Sequence, residues 1–134
     1  MSFRSLGLVF FIFNIYIFQG LRVAQVRAIF DLPQHFGTFP HPLAYVEWFT
    51  PLGRPDVVTG FHSITRSTRN TRRNSAVVSV DRILRGCHLM ARFPRVVPST
   101  WTTDNILEQG SIQYLFNSYI DVHTFTLFKS TYFR

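Results

Sequence analysis

LRVAQVRAIF at 21–30 and LAYVEWFT at 43–50 decide the fold class. In the first stretch Ala24, Val26, Ala28 and Phe30 fall on one side of an extended chain, with Gln25 and Arg27 on the other. In the second, Ala44, Val46 and Trp48 share a side, opposite Tyr45 and Glu47. Apolar residues at period two mark half-buried strands, because successive side chains of a strand point to opposite faces. Leu32-Pro33 ends the first, since Pro has no N–H to donate to a ladder. Pro33, Gly37, Pro40 and Pro42 make the intervening segment a loop, and Pro51, Gly53 and Pro55 make a turn after the second strand.

The same reading extends outward. Phe61–Thr65 is a short third strand, and RSTRNTRRN at 66–74 a polar loop. Ser75–Val80 is a fourth strand with Ala76, Val78 and Val80 on one side, followed by a single helical turn over Asp81–Leu84. Gly86–Phe93 and Ser111–Phe116 complete the strands, and a brief helix over Asp104–Gln109 is capped near Thr103 or Asp104. From Asn117 onward the pattern fits no single element. The sum is a mainly β fold: a small, partly open β-barrel or a bent antiparallel sheet of five to six strands, with one or two short helical turns. No long helical periodicity occurs, which argues against α/β architectures.

Leu6–Phe18 is apolar apart from Asn14 and follows Arg4. It is shorter than the roughly 18–20 residues of a spanning helix, and its flanks fit a signal cleavage site poorly. Three readings stand: a signal or membrane anchor, a buried strand or helix of the domain, or a leader foreign to the protein. The expected organisation is an apolar leader over 1–20, one β domain over 21–128 and a tail over 129–134.

Of the fourteen basic residues thirteen are Arg, and the formal charge is +7. The charge is concentrated: residues 66–95 hold eight Arg against Asp81, whereas 96–128 hold Asp104, Glu108 and Asp121 and no cation. Arg pairs with phosphate through two N–H groups at once and stacks on flat surfaces, so this segment points to a polyanion, DNA or RNA. Arg66, Arg69, Arg72 and Arg73 in the 66–74 loop are the candidate phosphate contacts. Trp48, Tyr45 and Phe61 are candidate base-stacking partners if exposed. A solvated charge-rich loop is the alternative.

Catalytic and cofactor chemistry has little foothold. Cys87 and His88 are adjacent, and Asp121-x-His123 is a sparse metal pair, so His35, His41, His62, His88 and His123 read as structural or surface residues. Asp104 and Glu108 meet at i, i+4, but a helix N-terminus favours acidic residues without catalysis. With one cysteine no internal disulfide forms, and no phosphate-binding glycine loop occurs. We therefore expect no enzyme activity and no cofactor.

Several phrases occur in a fixed order: HPLAYVEWFTP at 41–51, Ser67-Thr68-Arg69, Arg72-Arg73, VSVDRILRGCHLMARF at 78–93, Trp101, NILE at 105–108 and FNSYIDVHTF at 116–125. Together they resemble a β-rich segment of multicopy proteins of mushroom-forming fungi associated with transposons of the Plavaka or KDZ kind. The resemblance spans residues 22–125 and implies an accessory module within, or derived from, a larger transposon protein. VDRILRGCHL is also loosely similar to the core strand of chromatin-associated β-barrels, which adds a chromatin protein to the expected partners. A nuclear location follows from this reading, and a secreted or membrane-anchored one from retention of residues 1–20.

Overall fold

The computed structural model describes residues 3–16, 20–106, 112–119 and 122. Its strands are β1 (Phe3–Tyr16), β2 (Gly20–Phe30), β3 (Leu43–Trp48), β4 (His62–Ile64), β5 (Thr68–Arg69), β6 (Arg72–Arg73), β7 (Ser75–Ser79), β8 (Ile83–Gly86), β9 (Leu89–Ala91) and β10 (Tyr114–Phe116). Among the described residues they form a five-stranded sheet in the order β7-β3-β2-β1-β8, a three-stranded sheet β4-β10-β9 and the two-stranded β5-β6. Every pairing is antiparallel.

β7 and β8 lie at opposite edges of the large sheet, yet only the single 3-10 turn Val80–Arg82 joins them. Five flat strands would put the outer two about 19 Å apart, at roughly 4.8 Å per step. The chain from Ser79 to Ile83 reaches about 14 Å at most. The sheet must therefore curl until its edges approach. All five strands and the turn point side chains into the hollow this makes: Ala24, Val26, Ala44, Val46 and Trp48 are its buried centre, with Phe11, Ala76, Val78, Val80 and Ile83 around them. Ala and Val make up most of this close-packed interior, and Trp48 is the one large side chain at its buried centre. The sheet is bent and open rather than a closed barrel, the second of the two expected forms.

The outer face of the same strands builds the larger core. Phe10, Ile12, Leu21 and Val23 pack against Phe49, Leu52, Ile64, Leu89, Ile112, Tyr114 and Phe116, which covers the three-stranded sheet. Phe49 sits between Phe10 and Tyr114 with its ring edge-on to both, at 5.7 and 5.5 Å. β2 is thus buried on both faces, and Gln25, expected on a solvent face, is fully buried. Alternation was the right period, but it does not reveal a second layer on the polar side. At Arg27 the β2–β3 register slips between Val26 and Ala28, a bulge that the sequence pattern does not mark.

Residues 3–16 do not stand apart from the domain. β1 pairs with β2 from Phe3↔Phe30 to Tyr16↔Gly20 and with β8 through Phe11↔Gly86, Ile12↔Arg85 and Phe13↔Ile83. Of the three readings of the apolar N-terminal run, the pairing matches the buried strand. The helical turn expected over 81–84 is found over Val80–Arg82, with Ile83 and Leu84 in β8 instead. The expected strand over 86–93 is confined to β9 at Leu89–Ala91, apart from Gly86 at the end of β8. The 3-10 turn Gln34–Phe36 lies in the expected loop 33–42. Residues 107–109 of the brief helix expected over 104–109 and the tail over 129–134 lie outside the described residues.

His62 is buried against Phe116, and its Nδ1–H donates to the Gly53 carbonyl at 2.8 Å. Burial pushes its pKa below the ordinary 6.5, and the hydrogen bond opposes this only in part. The unfolded chain therefore binds the proton more readily than the fold does. Stability contributed by neutral His62 is complete above about pH 6.5 and is lost as the pH falls towards the folded pKa. Urea midpoints should drop between about pH 7 and 5, and His62→Gln should flatten that slope. Ile12, with no exposed surface, supplies a test of β1: Ile12→Ala should cost about 2–5 kcal/mol in urea unfolding. A cost near zero would place β1 outside the cooperative fold.

Candidate functional site

The 66–74 segment is a short hairpin rather than a polar loop. Thr68 pairs with Arg73 and Arg69 with Arg72, and Asn70 and Thr71 form the two-residue turn at φ 52° and 62°. Left-handed geometry at both central positions is that of a type I′ turn, which suits Asn and strains a β-branched Thr. The root of the hairpin is fastened to the end of β3. Ser67 N–H donates to the Trp48 carbonyl at 2.9 Å, Trp48 N–H to the Asn74 carbonyl at 2.8 Å, and Asn74 N–H to the Ser67 carbonyl at 3.0 Å.

The four candidate arginines separate into two kinds. Arg66 is 5% exposed and is not a surface phosphate contact. Its backbone bridges to Phe49, its guanidinium lies 5.0 Å over the Phe49 ring, and its Nη1 is 3.6 Å from Glu47 Oε2. The reason is topological: the chain must turn off the large core before the hairpin begins, so residue 66 still faces Phe49. Arg73 Nη1 also meets Glu47 Oε2, at 2.9 Å, and Arg27 Nε meets Glu47 Oε1 at 3.3 Å. One half-buried carboxylate thus holds three guanidiniums, an uneven cluster of formal charge +2.

Arg69 and Arg72 are exposed at the hairpin tip, and among the described residues neither has a carboxylate at ion-pair distance. They are register partners, so two like charges stand directly across the ladder. Such a pair is destabilising by itself, and an anion between the two groups would offset the repulsion. With Asn70, Arg73, Asn74 and Ser75 they line a shallow polar cleft of about 500 Å³.

The proposed stacking residues are not at this cleft in usable form. Trp48 is buried, and the Arg22 guanidinium lies 5.3 Å from its ring centre. Arg22 is spent internally, donating from Nε to the Phe49 carbonyl at 2.8 Å and from Nη2 to Ser67 Oγ at 3.2 Å, and burial lowers its pKa. Phe61 packs against Tyr119, and only Tyr45 is substantially exposed. Glu47 and Arg22 carry the site's architecture, yet in sequence they look like ordinary outward residues of two strands. Strand alternation sets them on opposite faces, Glu47 as the register partner of Gln25 and Arg22 on the side of Ala24 and Trp48, so no periodic signal joins them.

Elsewhere, Cys87 is half-buried and desolvation pushes its thiol up to about 12, so it stays protonated and weakly nucleophilic at neutral pH. Among the described residues no three His, Cys, Asp or Glu side chains converge as metal ligands. Asp121, His123 and Glu108 lie outside the described residues.

The division between inner and outer arginines has a measurable consequence. Glu47→Ala should lower stability by about 3 kcal/mol, because it strands the buried Arg66 charge. Arg66→Ala should lower it by about 2–3 kcal/mol through lost packing on Phe49, since Arg27 and Arg73 still pair Glu47. Arg69→Ala and Arg72→Ala should change it by less than about 0.5 kcal/mol. Chemical denaturation of the four variants reads the difference. Comparison of the chain with protein-family models, with curated proteins and with solved structures finds no match.

Proposed function

We propose that this β domain is a non-enzymatic module that binds the phosphate backbone of nucleic acid through the tip of the β5–β6 hairpin. The observation that carries the reading is the Arg69↔Arg72 register pair. Two arginines stand across the ladder from each other beside an exposed turn, with no carboxylate at ion-pair distance among the described residues, above a root hydrogen-bonded to β3. Each presents several N–H donors to phosphate oxygens, and their mutual repulsion falls when an anion lies between them. Arg73 adds a third charge on the same cleft while Glu47 fixes its position. Arg66 has no part in contact with the ligand, since its role is to pack Phe49 and pair Glu47.

The contact is with backbone, so it distinguishes little between sequences. An accessory module of a transposon protein, the setting implied by the resemblance, has use for such binding: it holds a larger protein on DNA without choosing the site. A chromatin partner would be engaged through the same nucleic acid. Anchoring through residues 1–20 would take β1 out of the sheet it pairs within, and we do not propose it.

Binding of duplex DNA should weaken as salt rises, with log affinity linear in log salt concentration. The double variant Arg69→Ala/Arg72→Ala should bind more weakly at every salt concentration and reduce the slope by about 2, one for each lost phosphate contact. Fluorescence anisotropy over a salt series measures both. Unchanged affinity and slope in the double variant, with the fold intact, would remove the hairpin as the site.

A further inference from the structure

β9 runs directly into a second surface cleft, of about 400 Å³, lined by Arg92, Phe93, Pro94, Trp101, Ile112 and Gln113. Phe93 is 63% exposed, a large apolar ring left in water. Trp101 is half-buried against the larger core, which fixes its position. The two ring centres are 6.2 Å apart with planes inclined at 53°, so the rings form an open V rather than a closed stack. Ile112 is buried at its base.

The polar edge of the cleft is ordered. Arg92 Nη1 donates to Gln113 Oε1 at 3.1 Å, and the Arg92 backbone N–H donates to the Gln113 carbonyl at 2.8 Å. A guanidinium has donors only, so the amide oxygen of Gln113 must face it, and the amide NH2 is turned away as a free-standing donor edge. Arg92, which lines the cleft, and Arg95, which follows Pro94 in the chain, are both exposed cations of the segment that enters the cleft. Asp56 lies near enough to Arg92 for their charges to interact, and its Oδ1 accepts from Val58 N–H, Thr59 N–H and the Thr59 hydroxyl.

We propose that this cleft is a slot for an unpaired nucleobase of a single-stranded nucleic acid. The base stacks on Phe93 and Trp101, its polar edge meets Gln113, and the adjoining phosphates meet Arg92 and Arg95. Aromatic faces bind bases of any identity, and a cationic rim tracks the backbone. A proline-rich peptide also suits an aromatic groove but brings no negative charge to complement the rim. The slot rests on the hairpin reading for the class of ligand alone. The hairpin takes phosphate from one strand or two, whereas the slot admits a base only when it is unpaired.

The test titrates the full chain with oligothymidylate and, separately, with a duplex of equal length, following tryptophan emission and affinity. Oligothymidylate should quench the emission saturably, and Trp101→Phe, which leaves buried Trp48 as the emitter, should abolish the quenching. Phe93→Ala, at an exposed position that circular dichroism can confirm as folded, should weaken single-strand binding about tenfold and leave duplex binding unchanged. Equal binding of strand and duplex by the wild type, or no effect of Phe93→Ala, overturns the slot. So does quenching by a polyproline peptide in place of the oligonucleotide. If Phe93→Ala weakens single-strand binding while Arg69→Ala/Arg72→Ala changes nothing, the slot stands and the hairpin reading fails. The reverse pattern leaves the hairpin and removes the slot.

Discussion

Three residues, Val80–Arg82, connect the two outer strands of the five-stranded sheet, and the rest of the molecule follows from that constraint. A link so short forces the sheet to curl. The hollow inside the curl is filled mainly by Ala and Val around Trp48, and the larger of the two cores lies on the outer face. There Phe10, Ile12 and Phe49 need a second layer to cover them, and β4-β10-β9 provides it. The crossing from one layer to the other occurs at 49–66, where the chain leaves β3 and returns through the Phe49–Arg66 bridge. The hairpin is therefore rooted where the two layers join, and its arginines inherit a fixed base.

Charge in this chain is partitioned by depth. Glu47 sits at the rim of the large core with Arg27, Arg66 and Arg73 around it. A single carboxylate for three cations is enough only because the second and third are partly solvated, with Arg27 and Arg73 side chains 29% and 35% exposed against 2% for Arg66. Water screens what Glu47 does not neutralise. Arg22 satisfies its donors on a carbonyl and a hydroxyl instead, and stacks on Trp48. A segment that reads as uniformly basic thus holds inner arginines that act as packing and hydrogen-bonding groups, and outer ones that keep their charge for solvent or a ligand.

This partition explains what could be read from the chain and what could not. β2 and β3 were legible because Val, Ala and Trp alternate there with polar residues and Pro and Gly mark their ends, and β7 because Ala76 and Val78 share one side. The bent sheet was legible from the number and shortness of the strands. Burial of Gln25 was not, since its polar side faces a layer assembled from residues about 40–90 positions away. β1 was ambiguous for a similar reason: a run of Phe and Ile is what a doubly covered strand and a membrane-directed segment both require. Arg66 and Arg69 are three residues apart and look alike in sequence, and only the position of Phe49 sends one inward and the other out.

The aromatic residues show the same logic from the opposite direction. Trp48 and Phe49, in a plainly apolar strand, became core, whereas Phe93 and Trp101, flanked by Pro94, Pro98 and the polar run Thr102–Asp104, stayed at the surface. A loop can hold a Trp in place only if something rigid lies beneath it. Here Trp101 packs on the large core, and the loop that follows it is pinned by Thr102 N–H donating to Asn105 Oδ1 and Asn105 Nδ2 donating to the Thr100 carbonyl. The ring is thus preorganised without being buried. Its neighbour Phe93 lacks such a cover and bears its exposure at a cost of about 1 kcal/mol or more of unrealised apolar burial. A flat apolar ligand that covers both rings would recover that cost, which is the physical ground for proposing a stacked base beside Arg92 rather than a purely ionic partner.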